Sequence, residues 1–251
     1  MSRGLGDVYK RQVDISKDPS PAVQARKYGW NAKHKIAVLT NFEYFIIYDT
    51  TTVPHDNDKC SVSRYRIYKY TEYVDKLDEI AKLVSRDSVY SGEFDKYFSE
   101  TFVGAGSQKQ QVDVIFLKQI NDWRIALSNE LYAKGGRYTS LDVLNDVVQE
   151  FINQIVFIRI CEDKNLPLYH KLKDTITAPD KLHKELEALF RDADKRYNSG
   201  MFSGDYIIFD LNNSVIADMI KGLYYPQSPY LFSIIEPNML GKISVSYTHL
   251  T

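Results

Sequence analysis

Residues 20–49, SPAVQARKYGWNAKHKIAVLTNFEYFIIYD, read as one helix followed by two apolar strands, with turn chemistry at each junction. Ser20 is a good N-cap and Pro21 suits the first helical position, where its missing N–H would be unpaired anyway. Gln24 and Tyr28 stand four residues apart and so share a helix face, with Arg26, Lys27 and Lys33 spread around the remainder. Past Asn31 the period changes. Ile36 to Leu39 is a short continuous apolar run, the pattern of a strand buried on both sides. Thr40 and Asn41 supply a turn, and Phe42 to Tyr48 is a second aromatic and β-branched run that ends at Asp49.

Beyond Asp49 the segment 50–63 holds Pro54, Asp56, Asn57 and Asp58 without periodicity and reads as a loop. Arg64 to Tyr70 alternates basic residues with Tyr65, Ile67 and Tyr68, which predicts a strand near the sheet edge. Arg64, Arg66 and Lys69 could touch a DNA backbone there, or could be solvated charges guarding the edge. Thr71 should cap a helix through Leu83, with Tyr73, Val74, Leu77, Ile80 and Val84 along one stripe. A shorter helix follows from Ser88 through Phe98. Residues 103–111, VGAGSQKQQ, break every pattern with small and polar residues and mark the domain boundary as a flexible linker. Gly104 and Gly106 form a GxG that opens no βαβ unit, so it does not read as a phosphate cradle.

The second half is helical. Val112, Phe116, Ile120, Trp123, Leu127 and Leu131 recur at helical spacing, and Gly135-Gly136 stops the helix where a C-cap belongs. Ser140 starts the next, through Glu162, with Leu144, Val147, Val148, Phe151, Ile155 and Ile158 on one wide face, extended by Ile152 and Val156. So broad an apolar face predicts a central helix packed on two sides. Arg159, Glu162 and Asp163 at its end invite a catalytic reading, but no His or nucleophile lies near them in sequence. Ion pairing and capping account for them better. A Pro-containing connection, 166–180, leads to a helix from Lys181 to Tyr197 that turns Leu182, Leu186, Leu189, Phe190 and Ala193 inward. A short helix from Ser214 to Tyr224 is broken by Pro226 and Pro229.

Composition bounds the function classes. At 251 residues and 44% hydrophobic content the chain can build a substantial core as one large domain or two modest ones. With 32 basic and 33 acidic residues it carries no basic footprint, so any phosphate contact must come from local clusters. Cys60 and Cys161 are too few and too far apart for a disulfide framework or a zinc pattern. His34, His55, His170 and His183 show no metal-ligand spacing. No apolar run could span a bilayer and no signal peptide is visible, so a soluble cytoplasmic protein without membrane association is expected.

The run 18–49, with Gln24 and Tyr28 as a Gln-x-x-x-Tyr element, resembles the end of the N-terminal PD-(D/E)xK nuclease domain in single-chain type IIG restriction-modification enzymes, the Eco57I and MmeI kind. The segments LKQINDWRIALSNEL, LDVLNDVVQEFINQIVFIRICEDKNL, LFRDADKRYNSGMF and LYYPQSPYLFSIIEPNMLGKI are similar, in order, to the helical connector that joins nuclease to methyltransferase in that family. The resemblance implies an α/β part, a partial nuclease sheet with helices over 13–102, a linker over 103–111, and an all-α connector over 112–243. The ends, DVYKRQ within 1–12 and VSYTHL around 244–251, look like the two strands of a sequencing adapter translated in frame and are set aside. Without them the chain holds 29 basic and 32 acidic residues.

What the resemblance implies for chemistry is specific. The parent would cleave double-stranded DNA with Mg²⁺ and methylate adenine N6 with S-adenosylmethionine. The metal-binding Asp and Glu-x-Lys of the family precede the helix and find no room upstream of Asp14. The Gly-rich cofactor loop and the Asn-Pro-Pro-aromatic motif that grips a flipped base are also missing. This piece is therefore expected to bind neither cofactor and to be inactive by itself. Gln24 is carried over as the tail of the nuclease motif with an orienting role and Tyr28 as its packing support. Arg26, Lys27, Lys33, Arg64 and Arg66 are the DNA-contact candidates. Other parents remain open: a solitary adenine methyltransferase of a phage-defence system, a translocating type I subunit, or a non-catalytic scaffold that binds DNA or a partner subunit.

Overall fold

The structure, a computed structural model, describes residues 13–103, 112–168, 171–204 and 206–234. The adapter-like ends, residues 104–111 of the linker with Gly104 and Gly106, and His170 lie outside them. The chain divides into two compact units, Met1–Gln111 and Val112–Thr251.

In the first unit, α1 (Pro19–Asn31) leads into a three-stranded antiparallel sheet in the order β1 (Ile36–Thr40), β2 (Tyr44–Asp49), β3 (Arg64–Lys69). The helix starts two residues earlier than an N-cap at Ser20 implied. Asp18 is the N-cap, its carboxylate accepting from Ser20 N–H at 2.8 Å, and a proline opens the first turn. The strand buried on both faces is β2 and not β1. Ile46 and Tyr48 face Ala22 and Ile15 on the α1 side, while Ile47 packs with Tyr68, Leu83, Phe98 and Phe102 on the other. β1 is an edge strand, with Val38 41% exposed. A continuous apolar run records how apolar a strand's surroundings can be, and sheet order decides which strand sits in the middle.

The second face of the sheet is covered by α2 (Leu77–Val84), α3 (Arg86–Ser91) and α4 (Glu93–Val103). The expected Thr71 helix begins only at Leu77, after a single 3₁₀ turn over Tyr70–Glu72. Val74 is 87% exposed and Leu77 also faces solvent, so the stripe narrows to Tyr73, Ile80, Leu83 and Val84. Where one helix was expected from Ser88, the chain forms two: Ser85 caps α3 and Gly92, at φ +79°, ends it. Phe94, Phe98 and Phe102 recur every four residues on α4 and stack in series, with Tyr65 edge-on to the last two.

The second unit packs α5 (Val112–Lys134), α6 (Leu141–Asp163), α7 (Lys171–Thr175), α8 (Leu182–Tyr197) and α9 (Asn213–Lys221). Gly135 and Gly136 take φ +74° and +60° at the end of α5, as the glycine pair requires. The wide face of α6 is buried from Leu144 to Ile158 except at Val147, which is half-buried. Phe190 on α8 meets Phe151, Phe202 and Tyr206 at centroid distances of 6.2, 5.4 and 5.4 Å. The short α7 interrupts the segment that read as plain connection, burying Leu172 and Thr175. Among the described residues no helix is long and apolar enough to cross a membrane.

Candidate functional site

The α1 helix carries the sequence-predicted site residues, and its packing sorts them. Ala22, Val23, Gly29 and Trp30 are buried, whereas Gln24 lies in solvent and Tyr28 is 50% exposed. Gln24 and Tyr28 thus share an open face. Tyr28, expected to pack as support, keeps half of its surface in solvent. In the sheet on which α1 packs, β1 has no strand paired to its outer edge among the described residues.

The basic candidates have internal partners. Arg26, 1% exposed, lies about 200° around the helix from Gln24 at the usual 100° per residue, on the buried side. Its Nη1 donates to Asp58 Oδ2 at 2.7 Å. Lys27 pairs with Asp56 at 2.5 Å. Both carboxylates stand on the 50–63 loop. Burial pushes the Asp58 carboxyl up, but the His55 N–H at 2.9 Å and the Arg26 guanidinium outweigh it and hold it below the usual carboxylate range. Lys33 sits just past the helix end at φ +58°, exposed, with its N–H on the Trp30 carbonyl. Arg64 donates to the Ser16 carbonyl at 3.0 Å. Arg66 lies 4.2 Å over the Tyr65 ring and 3.6 Å from Glu79. Lys35, which sequence reading passed over, bridges to Asp95 and Ser99 on α4.

Gly29 permits the close approach of α1 to the sheet. A Cβ there would lie 2.5 Å from Thr50 Cγ2, and Thr50 itself ties down the helix exit through its hydroxyl to the His34 carbonyl at 2.6 Å. Helix, strand end and loop therefore meet at one point. No signal in the sequence short of the Gly-Trp pair marks it.

The second unit holds the other charged cluster, and its arrangement is a structural one. Glu162, 2% exposed, accepts from Leu172 N–H at 2.7 Å and from the Tyr224 hydroxyl. Arg159 pairs with Asp163, donates to the Leu223 carbonyl at 3.0 Å, and lies 4.4 Å from the Tyr224 ring centroid and 5.2 Å from that of Phe232. Asp163 in turn accepts from Phe232 N–H at 2.9 Å. Burial raises the Glu162 carboxyl above its ordinary value, partly offset by Tyr224, Leu172 and Arg159. Burial and the neighbouring Glu162 charge push the Tyr224 phenol up as well. The network ties the end of α6 to α7 and to the 223–232 segment, with Arg159, Glu162 and Asp163 each hydrogen-bonded.

For the implied Mg²⁺ the fit is poor within this chain: among the described residues no group of three or more His, Cys, Asp or Glu could hold a metal ion. For S-adenosylmethionine the described residues supply no glycine-rich loop between a strand and a helix.

The first unit is a small antiparallel sheet flanked by helices and the second is a helical bundle, and a comparison with curated proteins finds a relative that spans both. The particular relative is the type II restriction enzyme and methyltransferase RM.Eco57I of Escherichia coli, to which the chain is 45% identical over 236 residues. The match takes in 93% of this chain and 23% of that protein, so the chain spans about a quarter of the relative, consistent with a fragment of a type IIG enzyme. No protein-family model matches the chain, and no solved structure does.

Proposed function

We propose that the chain is the rear of a PD-(D/E)xK nuclease domain, residues 13–102, joined by a linker to the helical connector, 112–243, of an enzyme that both cleaves DNA with Mg²⁺ and methylates adenine N6 with S-adenosylmethionine. The observation that carries the reading is the extended identity to a restriction enzyme and methyltransferase, running through both units. The exposure of Gln24 and Tyr28 on α1 supports it, as does β1, which among the described residues pairs on one side only and so could receive a further strand. In the parent, that strand would bring the metal carboxylates of the nuclease, and Gln24 would orient a catalytic group or the DNA without binding metal. Mg²⁺, once held by those carboxylates, supplies charge for activating water on a phosphodiester. What this chain's residues supply is position. Double-stranded DNA is the partner of the parent, and Lys33 and Arg66, both exposed, are the contact candidates that this chain offers it.

The test is recovery of the sequence on both sides of this fragment from its source, followed by expression of the full protein. An Asp and Glu-x-Lys before Asp14, with a Gly-rich loop and Asn-Pro-Pro-aromatic downstream, are expected. Mg²⁺-dependent cleavage lost on Gln24→Ala, with methylation retained, completes the expectation. Flanks lacking both motif sets would refute it.

A further inference from the structure

Arg26 and Lys27 are adjacent on α1, so their side chains leave the helix about 100° apart. Each meets a carboxylate of one loop, Asp58 and Asp56, at 2.7 and 2.5 Å. Two ties at different angles resist rotation of a cylinder better than one, and here they add to the packing of Ala22, Val23 and Trp30. From this geometry we infer that Arg26 and Lys27 are positioning residues: with Asp58 and Asp56 they form a two-pin lock that sets the rotation of α1 and so aims Gln24 and Tyr28. What the aimed face does rests on the nuclease reading; the lock itself rests on geometry.

The pins differ in character. Lys27–Asp56 is partly exposed and by itself would be weak. Arg26 is almost wholly buried, with its Nε unpartnered, so loss of Asp58 would strand a charge in the interior and the helix would have to turn to release it. Asp58 is itself held by the His55 N–H of the same loop at 2.9 Å. A helix with its side chains is about 5–6 Å in radius, so a turn of about 20° carries the end of Gln24 roughly 2 Å sideways. Displacements of that size cost on the order of a hundredfold in a positioned reaction. The same geometry removes Arg26 and Lys27 from the set of DNA contacts, because their charges are already spent.

The experiment compares the full-length enzyme containing this chain with Asp58→Asn, Lys27→Glu, and the exchanged pair Lys27→Glu/Asp56→Lys. Mg²⁺-dependent plasmid cleavage under single turnover is measured beside methyl transfer from labelled S-adenosylmethionine, which reports an intact protein. Asp58→Asn should slow cleavage by about tenfold or more, leaving KM for DNA, its salt dependence and methylation within about twofold. Lys27→Glu should slow it too, and the exchange should restore it. In the 251-residue chain alone, α1 amides should exchange faster in Asp58→Asn than in the wild type. Unchanged cleavage in both single variants would overturn the lock. So would a loss expressed as raised KM with a shallower salt slope, which would return both residues to the DNA. Should Asp58→Asn lose methylation as well, failure of the Lys27/Asp56 exchange to rescue cleavage would overturn it. A wild-type enzyme that does not cleave would refute the nuclease reading and the aimed role with it, while amide exchange would still show whether α1 is locked.

Discussion

Arg159→Met should be among the most damaging single changes in the second unit. Methionine keeps most of the side-chain bulk but removes the guanidinium that neutralises Asp163, faces Glu162 at 3.8 Å and holds the Leu223 carbonyl. Glu162 and Asp163 would then be left on the same helix end with their shared cation gone, one of them 2% exposed. Removing one partner of a buried ionic group typically costs about 3–5 kcal/mol, against roughly 5–15 for an entire domain. For a unit of this size the loss corresponds to a fall in Tm of roughly 10–20 °C. Urea unfolding of the 251-residue chain in a Trp30→Phe background, followed by fluorescence of Trp123 on α5 and by helical circular dichroism, gives the difference between Arg159 and Met. Arg159→Met combined with Glu162→Gln should be less damaging than the two separate costs together, because the second change removes one of the stranded charges. A loss below about 1 kcal/mol for Arg159→Met would show a solvated surface pair and refute the reasoning.

Further outcomes can be measured on the same chain. Glu162 has a raised carboxyl pKa in the fold, so the folded state binds its proton more readily than the unfolded chain; its contribution to stability should fall as pH rises from about the ordinary 4.5 to its raised value. Comparing the wild type with Glu162→Gln by denaturation across that range should show the slope in the former alone. Asp58 acts with the opposite sign: its lowered pKa gives stability present above the ordinary range and lost as pH falls through the folded value. Asp58→Asn should flatten that acid limb in the thermal unfolding of the first unit. Gly29→Ala forces a methyl into Thr50 and should destabilise the first unit by about 1–3 kcal/mol, with Thr50→Ser recovering part of it. The isolated chain should not nick supercoiled plasmid in Mg²⁺; nicking that survives purification and disappears on Gln24→Ala would show that it carries a working nuclease centre.

Much of this could be read before any coordinates. The helix over 19–31, the hairpin strands after it, the glycine stop after α5 and the wide buried face of α6 all follow from local pattern, because periodicity, caps and glycine conformations are short-range facts. The misread parts share a cause. That β1 is the edge, that Val74 and Leu77 face water, and that Arg26 turns inward to Asp58 are outcomes of which surfaces meet. An arginine two residues from Gln24 looks like a DNA contact until the helix is docked and the far side proves to be the buried one.

The sequence by itself determined the order of helices and strands, the split between a sheet-bearing half and a helical half, and the likeness to a restriction and modification enzyme carried by motif order. Only the tertiary structure decided what the charges do. Asp56 and Asp58 lie 29 and 32 residues from the basic side chains they hold, and Tyr224 lies 62 from Glu162. Pairings across such separations leave no periodic trace, since what brings them together is the burial of apolar faces elsewhere on the same elements.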